Sequence, residues 1–209
     1  MTQLALLLCL ALEIPAPRLG YACPAGGRQG SVTRVLAGGQ NLNGARDVFV
    51  SGRGVRGTVV RFLGGPLKLN ADERREVIRR LKELKDPPEK KAERAVPLPK
   101  HPLLDNLDRL TPLETDFLVH EFLTTDKKRQ TNFQIRETVL LELTIEAGAP
   151  VGDRELRLRG NQGLTNPLVF QVGTAPEILE SAPYDENAAP APRVDAPVTF
   201  NGQIRPGDV

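Results

Sequence analysis

Aromatic residues are scarce in this chain of 209 residues, which contains no tryptophan, two tyrosines and seven phenylalanines. Because aromatic residues make up only 4% of the sequence, we expect a core built from valine, leucine and isoleucine. The length suits one medium domain with appendages or two small domains. The 19 glycines and 18 prolines predict many turns between short strands.

Cysteine and histidine are rarer still. One of the two cysteines, Cys9, lies in an apolar N-terminal run, so the pair Cys9 and Cys23 predicts no disulfide framework. The two histidines, His101 and His120, have no cysteine partners at the spacing of a zinc site. We therefore expect no metal site and no cofactor.

A basic stripe is also missing. The 28 basic and 26 acidic residues are mixed along the chain and leave a net charge of only +2. Nucleic-acid binding requires a clustered positive surface, so we expect no nucleic-acid partner.

The N-terminal apolar run at 4–12, L-A-L-L-L-C-L-A-L, is too short to span a bilayer. Its length suits the apolar part of an export signal, although no basic residue precedes it. We interpret residues 1–17 as a signal segment, with a buried first helix as the alternative. The mature chain is predicted to have no membrane span.

The segment 137–172 predicts three strands, because its apolar residues recur at every second position. The inward positions are Val139, Leu141, Leu143 and Ile145, then Leu156 and Leu158, then Leu168, Phe170 and Val172.

Residues 21–62 predict an earlier strand group, with strands at 31–37, 47–51 and 57–62. The glycines of 25–30 and 38–45 are interpreted as turn positions. A phosphate-binding loop is the alternative, but neither segment has the Gly-Lys-Ser/Thr ending.

A helical stretch at about 67–128 separates the two strand groups. Asn70 and Glu73 form the pattern of a capping box, and Asp86-Pro87-Pro88 ends the helix that follows. Its apolar stripe is predicted to comprise Val77, Ile78, Leu81 and Leu84.

Further helices are predicted in the same stretch. Leucines at 103, 104, 107 and 110 indicate a short one, and Thr111-Pro112-Leu113-Glu114 is typical of another helix start. The buried stripe of this last helix is predicted from Leu113, Phe117, Leu118 and Phe122. The stretch 89–99 is interpreted as a loosely ordered connector.

The first helix carries many basic residues interleaved with acidic ones, which predicts a solvated face with ion pairs between successive turns. Contact with an anionic partner is the alternative. For the whole insertion, a partner-binding surface and a cover for an exposed sheet edge both remain open.

Residues 173–197 are rich in alanine, proline and acidic residues and are interpreted as a linker. The stretch 198–204, V-T-F-N-G-Q-I, then predicts a strand with an Asn-Gly turn.

Two patterns carry a family resemblance. The stretch 21–30 (Y-A-C-P-A-G-G-R-Q-G), with G-G-Q-N-L at 38–42, resembles the opening of IPT/TIG-type immunoglobulin-like domains, and 163–173 (G-L-T-N-P-L-V-F-Q-V-G) resembles their closing strands. The stretch 197–209 is similar to the first strand of a bacterial pre-peptidase C-terminal (PPC) domain. The helical insertion departs from an ordinary IPT module.

The resemblance implies a mainly β fold: an Ig-like, antiparallel β-sandwich over 18–172 with a helical insertion between its two strand groups, and a truncated PPC-like domain at 198–209. It also implies an extracytoplasmic location in an exported bacterial protein.

The function expected on this basis is that of a non-catalytic spacer, adhesion or protein-interaction module, with a protein or cell-surface partner bound through the insertion or loops. Carbohydrate or cell-wall binding, or attachment to a secreted protease, are the alternatives. No enzyme activity is expected. Ser31, Ser51 and Ser181 lack a nucleophile motif, His101 lies in a connector, and His120 lies beside Glu121 on a helix. No catalytic, cofactor-binding or metal-binding residue is predicted.

Overall fold

The computed structural model of the chain describes residues 15–65, 67–87, 95–123, 132–179 and 194–202. Strand is the predominant regular structure within these ranges, in agreement with the predicted mainly β class. The strands are β1 (Arg18–Cys23), β2 (Gly26–Arg28), β3 (Val32–Gln40), β4 (Asp47–Val50), β5 (Val55–Gly64), β6 (Glu137–Ile145), β7 (Gly152–Gly160), β8 (Gly163–Leu164), β9 (Leu168–Gly173), β10 (Glu177–Leu179) and β11 (Thr199–Asn201).

Two α-helices lie between β5 and β6, namely α1 (Ala71–Lys85) and α2 (Pro112–Leu118). A π-helical turn, Val119–Leu123, continues α2, and short 3₁₀ turns occupy Leu107–Arg109 and Phe133–Ile135. We refer to the described residues between β5 and β6 as the insertion.

Nine strands form one sheet, in which the order is β1-β3-β6-β5-β4-β7-β9-β2 and β8 pairs with β7. Neighbouring strands are antiparallel except for β2 and β9, which are parallel. The sheet is therefore mixed, where the sequence predicted antiparallel strands throughout. The difference arises because β2 directly follows β1 along the chain yet pairs at the far end of the sheet.

One hydrophobic cluster contains side chains from both halves of this strand order. Val139, Leu141, Leu143 and Ile145 of β6 pack in the same cluster as the inward residues of β7 and β9. The three strands predicted in 137–172 are confirmed, and their predicted inward residues lie in this cluster or, for Leu168, partly buried against it. The core is aliphatic apart from a few rings.

A second cluster lies on the opposite face of the β3-β6-β5 part of the sheet. Leu36, Leu63 and Leu140 point away from the first cluster and pack against leucines and Phe122 of the insertion. Four consecutive residues of β6, from Thr138 to Leu141, are buried because both faces of the strand are covered there. The insertion thus covers a sheet face, not the sheet edge considered from the sequence.

Helix α1 begins and ends as predicted. Asn70 and Glu73 form a capping box, and the helix stops at Lys85, before Asp86. The predicted apolar stripe is partly wrong: Val77 is buried, but Ile78 and Leu84 are exposed. The buried face is rotated toward Glu76, whose burial is compensated by two arginines described below.

The predicted short helix at 103–110 is wrong. Residues 102–106 form turns, and only the 3₁₀ turn Leu107–Arg109 follows. Asp105, Asn106 and Asp108 favour turns because their side chains compete with helical hydrogen bonds. The start of α2 is confirmed, since Thr111 and Glu114 form a capping box with Pro112 at the first helical position. Of its predicted stripe, Leu118 and Phe122 are buried and Leu113 and Phe117 partly so.

The glycines predicted as turns at 25–30 and 38–45 lie partly within strands. Gly38 and Gly39 are inside β3, where a Cβ at Gly38 would overlap the Tyr21 ring and one at Gly39 would overlap the Arg18 carbonyl oxygen. Glycine is needed there for the close approach of β1. Gly44, with φ of +83°, is a turn position as predicted.

The strand predicted at 198–204 is present over Thr199–Asn201, where β11 pairs in parallel with β10. Strand β10 lies inside the predicted linker 173–197. The Asn201 side chain accepts a hydrogen bond from the Ala25 N–H at 3.2 Å and donates to the Glu177 carboxylate. Three predicted stretches lie wholly or partly outside the described residues. They are residues 1–14 of the signal segment 1–17, residues 89–94 of the connector 89–99, and residues 203–209.

Candidate functional site

The insertion is tied to the sheet by one buried carboxylate. Glu114 in the first turn of α2 is 2% exposed and forms an ion pair with the Arg61 guanidinium of β5. Its other oxygen accepts from the Thr111 N–H at 2.9 Å and from the Thr111 hydroxyl at 2.8 Å. Burial raises the pKa of Glu114, but the hydrogen bonds from Thr111 and Arg61 outweigh it and hold the pKa below its usual value.

Arg61 has a second contact with the insertion, because its Nη1 donates to the Pro102 carbonyl at 3.3 Å. One arginine thereby joins a strand of the sheet to both the 101–110 segment and α2. The insertion therefore has two polar contacts with the same side chain of β5.

Glu76 of α1 is a second buried carboxylate that forms ion pairs with arginines. Arg79 donates to it through Nε at 3.0 Å and Nη2 at 2.7 Å, and Arg80 donates through Nε at 2.7 Å. The Arg79 hydrogen bonds, with those of Arg80, outweigh burial and lower the pKa of Glu76 from 4.5 to about 2. Arg80 also donates to the Val96 carbonyl at 3.1 Å, which connects α1 to the chain that follows it.

The ion pairs predicted along α1 are present. Arg79 pairs with Glu76 and Glu83, and Arg75 pairs with Asp72. These contacts favour the interpretation of the α1 charges as a helix face that is neutralised within itself.

A shallow groove of about 310 Å³ lies between the C-terminal half of α1 and the 101–110 segment. We call it the α1 groove; it is lined by Arg80, Glu83, Leu84, Leu104, Asp105, Leu107 and Asp108. Leu84 is 49% exposed at this groove, whereas Leu104 and Leu107 are buried beneath it.

The charge of the α1 groove is predominantly negative. Arg80 is bound to Glu76, and Glu83 is bound to Arg79. Asp105 and Asp108 are exposed and form no ion pair within the part of the chain that the structure describes. The groove therefore combines an exposed leucine with two uncompensated carboxylates.

A second groove, of about 210 Å³, lies where β3 ends and β6 begins. It is lined by Gln40, Asn41, Phe133, Arg136 and Glu137. The Phe133 ring is 65% exposed, and the Arg136 guanidinium lies 5.5 Å from its centroid. Glu137 accepts from the Leu42 N–H at 2.6 Å, and Gln40 donates to the Phe133 carbonyl at 3.1 Å.

In the described part of the chain, the hydrogen bonds shown for Ser31, Ser51 and His101 do not join a serine to a histidine. The Ser31 hydroxyl donates to the Arg28 carbonyl at 2.6 Å, and the Ser51 hydroxyl accepts from the Glu155 N–H at 2.8 Å. His101 is buried between the rest of the insertion and the sheet, and His120 lies on the π-helical turn and lines neither groove. Ser181 lies outside the described residues.

Among the described residues, no group of three or more His, Cys, Asp and Glu side chains is arranged to hold a metal ion. In the same ranges, no helix combines the length and apolar character needed to cross a membrane.

Sequence reasoning missed the buried pair of Arg61 and Glu114. Glu114 was recognised only as a capping residue, and Arg61 lies in a strand pattern with nothing to mark it. The available signal for Glu76 was stronger, because arginines follow it at the third and fourth positions.

Comparison of the chain with protein-family models, with curated proteins and with solved structures gives no match. The resemblance to IPT/TIG-type and PPC domains therefore stays a prediction.

Proposed function

We propose that this chain is a non-catalytic, Ig-like β-sandwich module of an exported bacterial protein, which binds a protein partner through its insertion. Support for the Ig-like part comes from the strand order. The halves β1-β3-β6-β5 and β4-β7-β9-β2 correspond in order to the A-B-E-D and C-F-G sheets of immunoglobulin domains, with the first strand divided between the two.

The observation that carries the binding function is the α1 groove. It lies on an insertion that is held on the sheet by the Arg61–Glu114 pair and by a leucine-rich cluster. A surface fixed in this way loses little conformational freedom when a partner binds. Leu84 supplies apolar contact area, and Asp105 and Asp108 favour a partner segment with basic side chains.

The test uses a fluorescent peptide of alternating lysine and leucine, with a peptide of alternating glutamate and leucine for comparison. We expect the intact chain to bind the lysine peptide and to discriminate against the glutamate peptide in fluorescence anisotropy. Leu84→Gln is expected to weaken binding about threefold to tenfold, since part of the apolar contact is lost. Asp105→Asn with Asp108→Asn is expected to weaken it and to reduce its dependence on salt.

Ile78 supplies the matched control. It is an exposed apolar residue on the same helix but does not line the α1 groove. Ile78→Gln should leave the affinity unchanged. Equal weakening by Ile78→Gln and Leu84→Gln, or equal binding of both peptides, would contradict the proposal.

Carbohydrate or cell-wall binding is the second candidate, and one observation favours it. Phe133 is an exposed ring beside amide and carboxylate side chains, which is a combination that sugars use for stacking and hydrogen bonding. Retention of the chain on insoluble cell-wall polysaccharide should decrease with Phe133→Ala. The control is Phe49→Ala, because Phe49 is 53% exposed on β4 and does not line this groove. Loss of retention in both variants, or in neither, would exclude a site at Phe133.

The proposed export is tested separately. Residues 1–30 fused to a phosphatase that is active only outside the cytoplasm should give activity in bacteria, whereas the same fusion begun at residue 18 should not. Equal activity of the two fusions would contradict a signal segment at 1–17.

A further inference from the structure

His101 lies at the contact between the insertion and the sheet. Its side chain is buried, with 7% of the residue exposed, and its ring meets the edge of Phe122 with centroids 5.3 Å apart. On the sheet side, a Cβ added to Gly64 would lie 3.2 Å from His101 Nε2. The imidazole is therefore enclosed between the end of β5 and the π-helical turn.

The hydrogen bonds of His101 hold the 101–110 segment in its turn conformation. Nδ1 accepts from the Leu103 N–H at 3.2 Å, so this nitrogen carries no proton and the neutral ring is protonated at Nε2. The His101 carbonyl accepts from the Leu104 N–H at 2.9 Å and from the Asp105 N–H at 3.0 Å. Leu104 and Asp105 line the α1 groove, so one residue orders that side of the groove.

Several charged groups surround this ring. Burial lowers the pKa of His101 from its usual 6.5, Asp105 and the Leu63 carbonyl oppose the shift, and Arg61 adds to it. Glu114 is bound to Arg61, and His120 and Glu121 are the titratable residues next to Phe122 on the π-helical turn. Nε2 is buried and makes no hydrogen bond of good geometry.

We propose that His101 is an acid-sensitive latch, whose protonation at Nδ1 releases the 101–110 segment from the sheet and disrupts the α1 groove. A proton taken from solvent onto Nδ1 turns it into a donor that faces the Leu103 N–H, so that hydrogen bond is lost. It also places a positive charge between Phe122 and Leu63, close to Arg61. This charge is unfavourable in the closed form, and opening of the segment would return the imidazolium to water.

The direction of the pH dependence follows from the lowered pKa. The opened segment binds the proton more readily than the closed one, so the stabilising contribution of neutral His101 is complete above pH 6.5. It is lost as the pH falls below 6.5 through the pKa of the closed form. Release of the segment is independent of what the groove binds; only its effect on binding rests on the proposed function.

Hydrogen–deuterium exchange of the full chain, read by mass spectrometry at pH 7.5 and 5.0 and corrected for intrinsic exchange rates, tests the latch. We expect amides of 101–110 to exchange at least about threefold faster at the lower pH, relative to those of β7 and β9. His101→Gln retains an acceptor but cannot titrate, and it should abolish the acceleration. His120→Gln, which removes the other histidine, should leave it unchanged.

No acceleration in the unmodified chain, or the same acceleration in His101→Gln, would overturn the latch. If His101→Gln fails to fold at pH 7.5, His120→Gln provides the decisive measurement, because His101 is then the only histidine. Its imidazole Cε1–H resonance should titrate with a midpoint below 6.5 that coincides with the midpoint of the exchange acceleration. A midpoint at or above 6.5 overturns the latch. Acid-induced opening without any loss of lysine-peptide binding instead overturns the groove as the binding site.

Discussion

Arg61 of β5 and Glu114 of α2 form the ion pair that connects the sheet to the insertion across a sequence separation of 53 residues. Glu114 is nearly fully buried, and the same carboxylate completes the N-terminal cap of its helix through Thr111. The pair therefore couples the formation of α2 to its docking on β5. Loss of either partner should affect both.

Arg61→Met should destabilise the chain by about 2–4 kcal/mol, because Glu114 would remain buried with only Thr111 as a partner. The expected loss is near the lower end of the range for breaking a buried ion pair, because the Arg61 side chain is partly exposed. Urea unfolding followed by circular dichroism measures the change.

The control for Arg61→Met is Arg56→Met, at another arginine of β5. This substitution removes the exposed ion pair of Arg56 and Glu146. It should cost no more than about 0.5 kcal/mol. A coupling energy near zero in the double-mutant cycle of Arg61→Met and Glu114→Gln would show that the pair does not hold the insertion.

Glu76→Gln should reduce the acid sensitivity of the chain. The pKa of Glu76 is lowered to about 2 in the folded chain, so the unfolded chain binds its proton more readily. The stabilisation is therefore complete above pH 4.5 and is lost as the pH falls from 4.5 toward 2. The free energy of unfolding, measured in urea at several pH values, should decline less steeply over this window in Glu76→Gln. An unchanged slope would mean that Arg79 and Arg80 do not stabilise the charged form.

Local patterns in the sequence predicted the parts of the fold that depend on local chemistry. The alternation in 137–172 gave three correct strands, and the capping boxes at Asn70 and Thr111 gave two correct helix starts. Each of these signals acts within a few residues of the chain. Side-chain alternation and helix capping are decided at that range.

Contacts between distant residues could not be predicted in the same way. Gly38 and Gly39 have the composition of a turn but lie in β3, because Tyr21 and Arg18 of β1 approach them. The four consecutive buried residues of β6 require the insertion on one face and the first cluster on the other. The α1 groove was missed because it depends on Leu84 being exposed, and helical periodicity alone predicted that Leu84 would be buried.

Asn166→Ala should weaken the attachment of β1. The Asn166 side chain accepts from the Leu19 N–H at 2.8 Å and donates to the Leu19 carbonyl at 3.0 Å, as a neighbouring strand would. Removing it leaves two backbone groups of a buried residue without these partners and should cost about 1–3 kcal/mol. The rate of amide hydrogen exchange should increase more in β1 than in β6. Uniform acceleration of both strands would argue that Asn166 acts on global stability instead.

Gly39→Ala should destabilise the chain strongly although it adds only one methyl group. The added methyl group would overlap the backbone of Arg18, which cannot move without separating β1 from β3. We expect the free energy of unfolding to fall by about 2–3 kcal/mol, as is usual when a group is added to a tightly packed site. Gly148→Ala is the matched control, because nothing lies within 4 Å of a Cβ added there, and its effect should stay within about 0.5 kcal/mol. The two variants are compared by thermal unfolding at one pH, and equal melting temperatures would refute the close approach of β1 and β3 at Gly39.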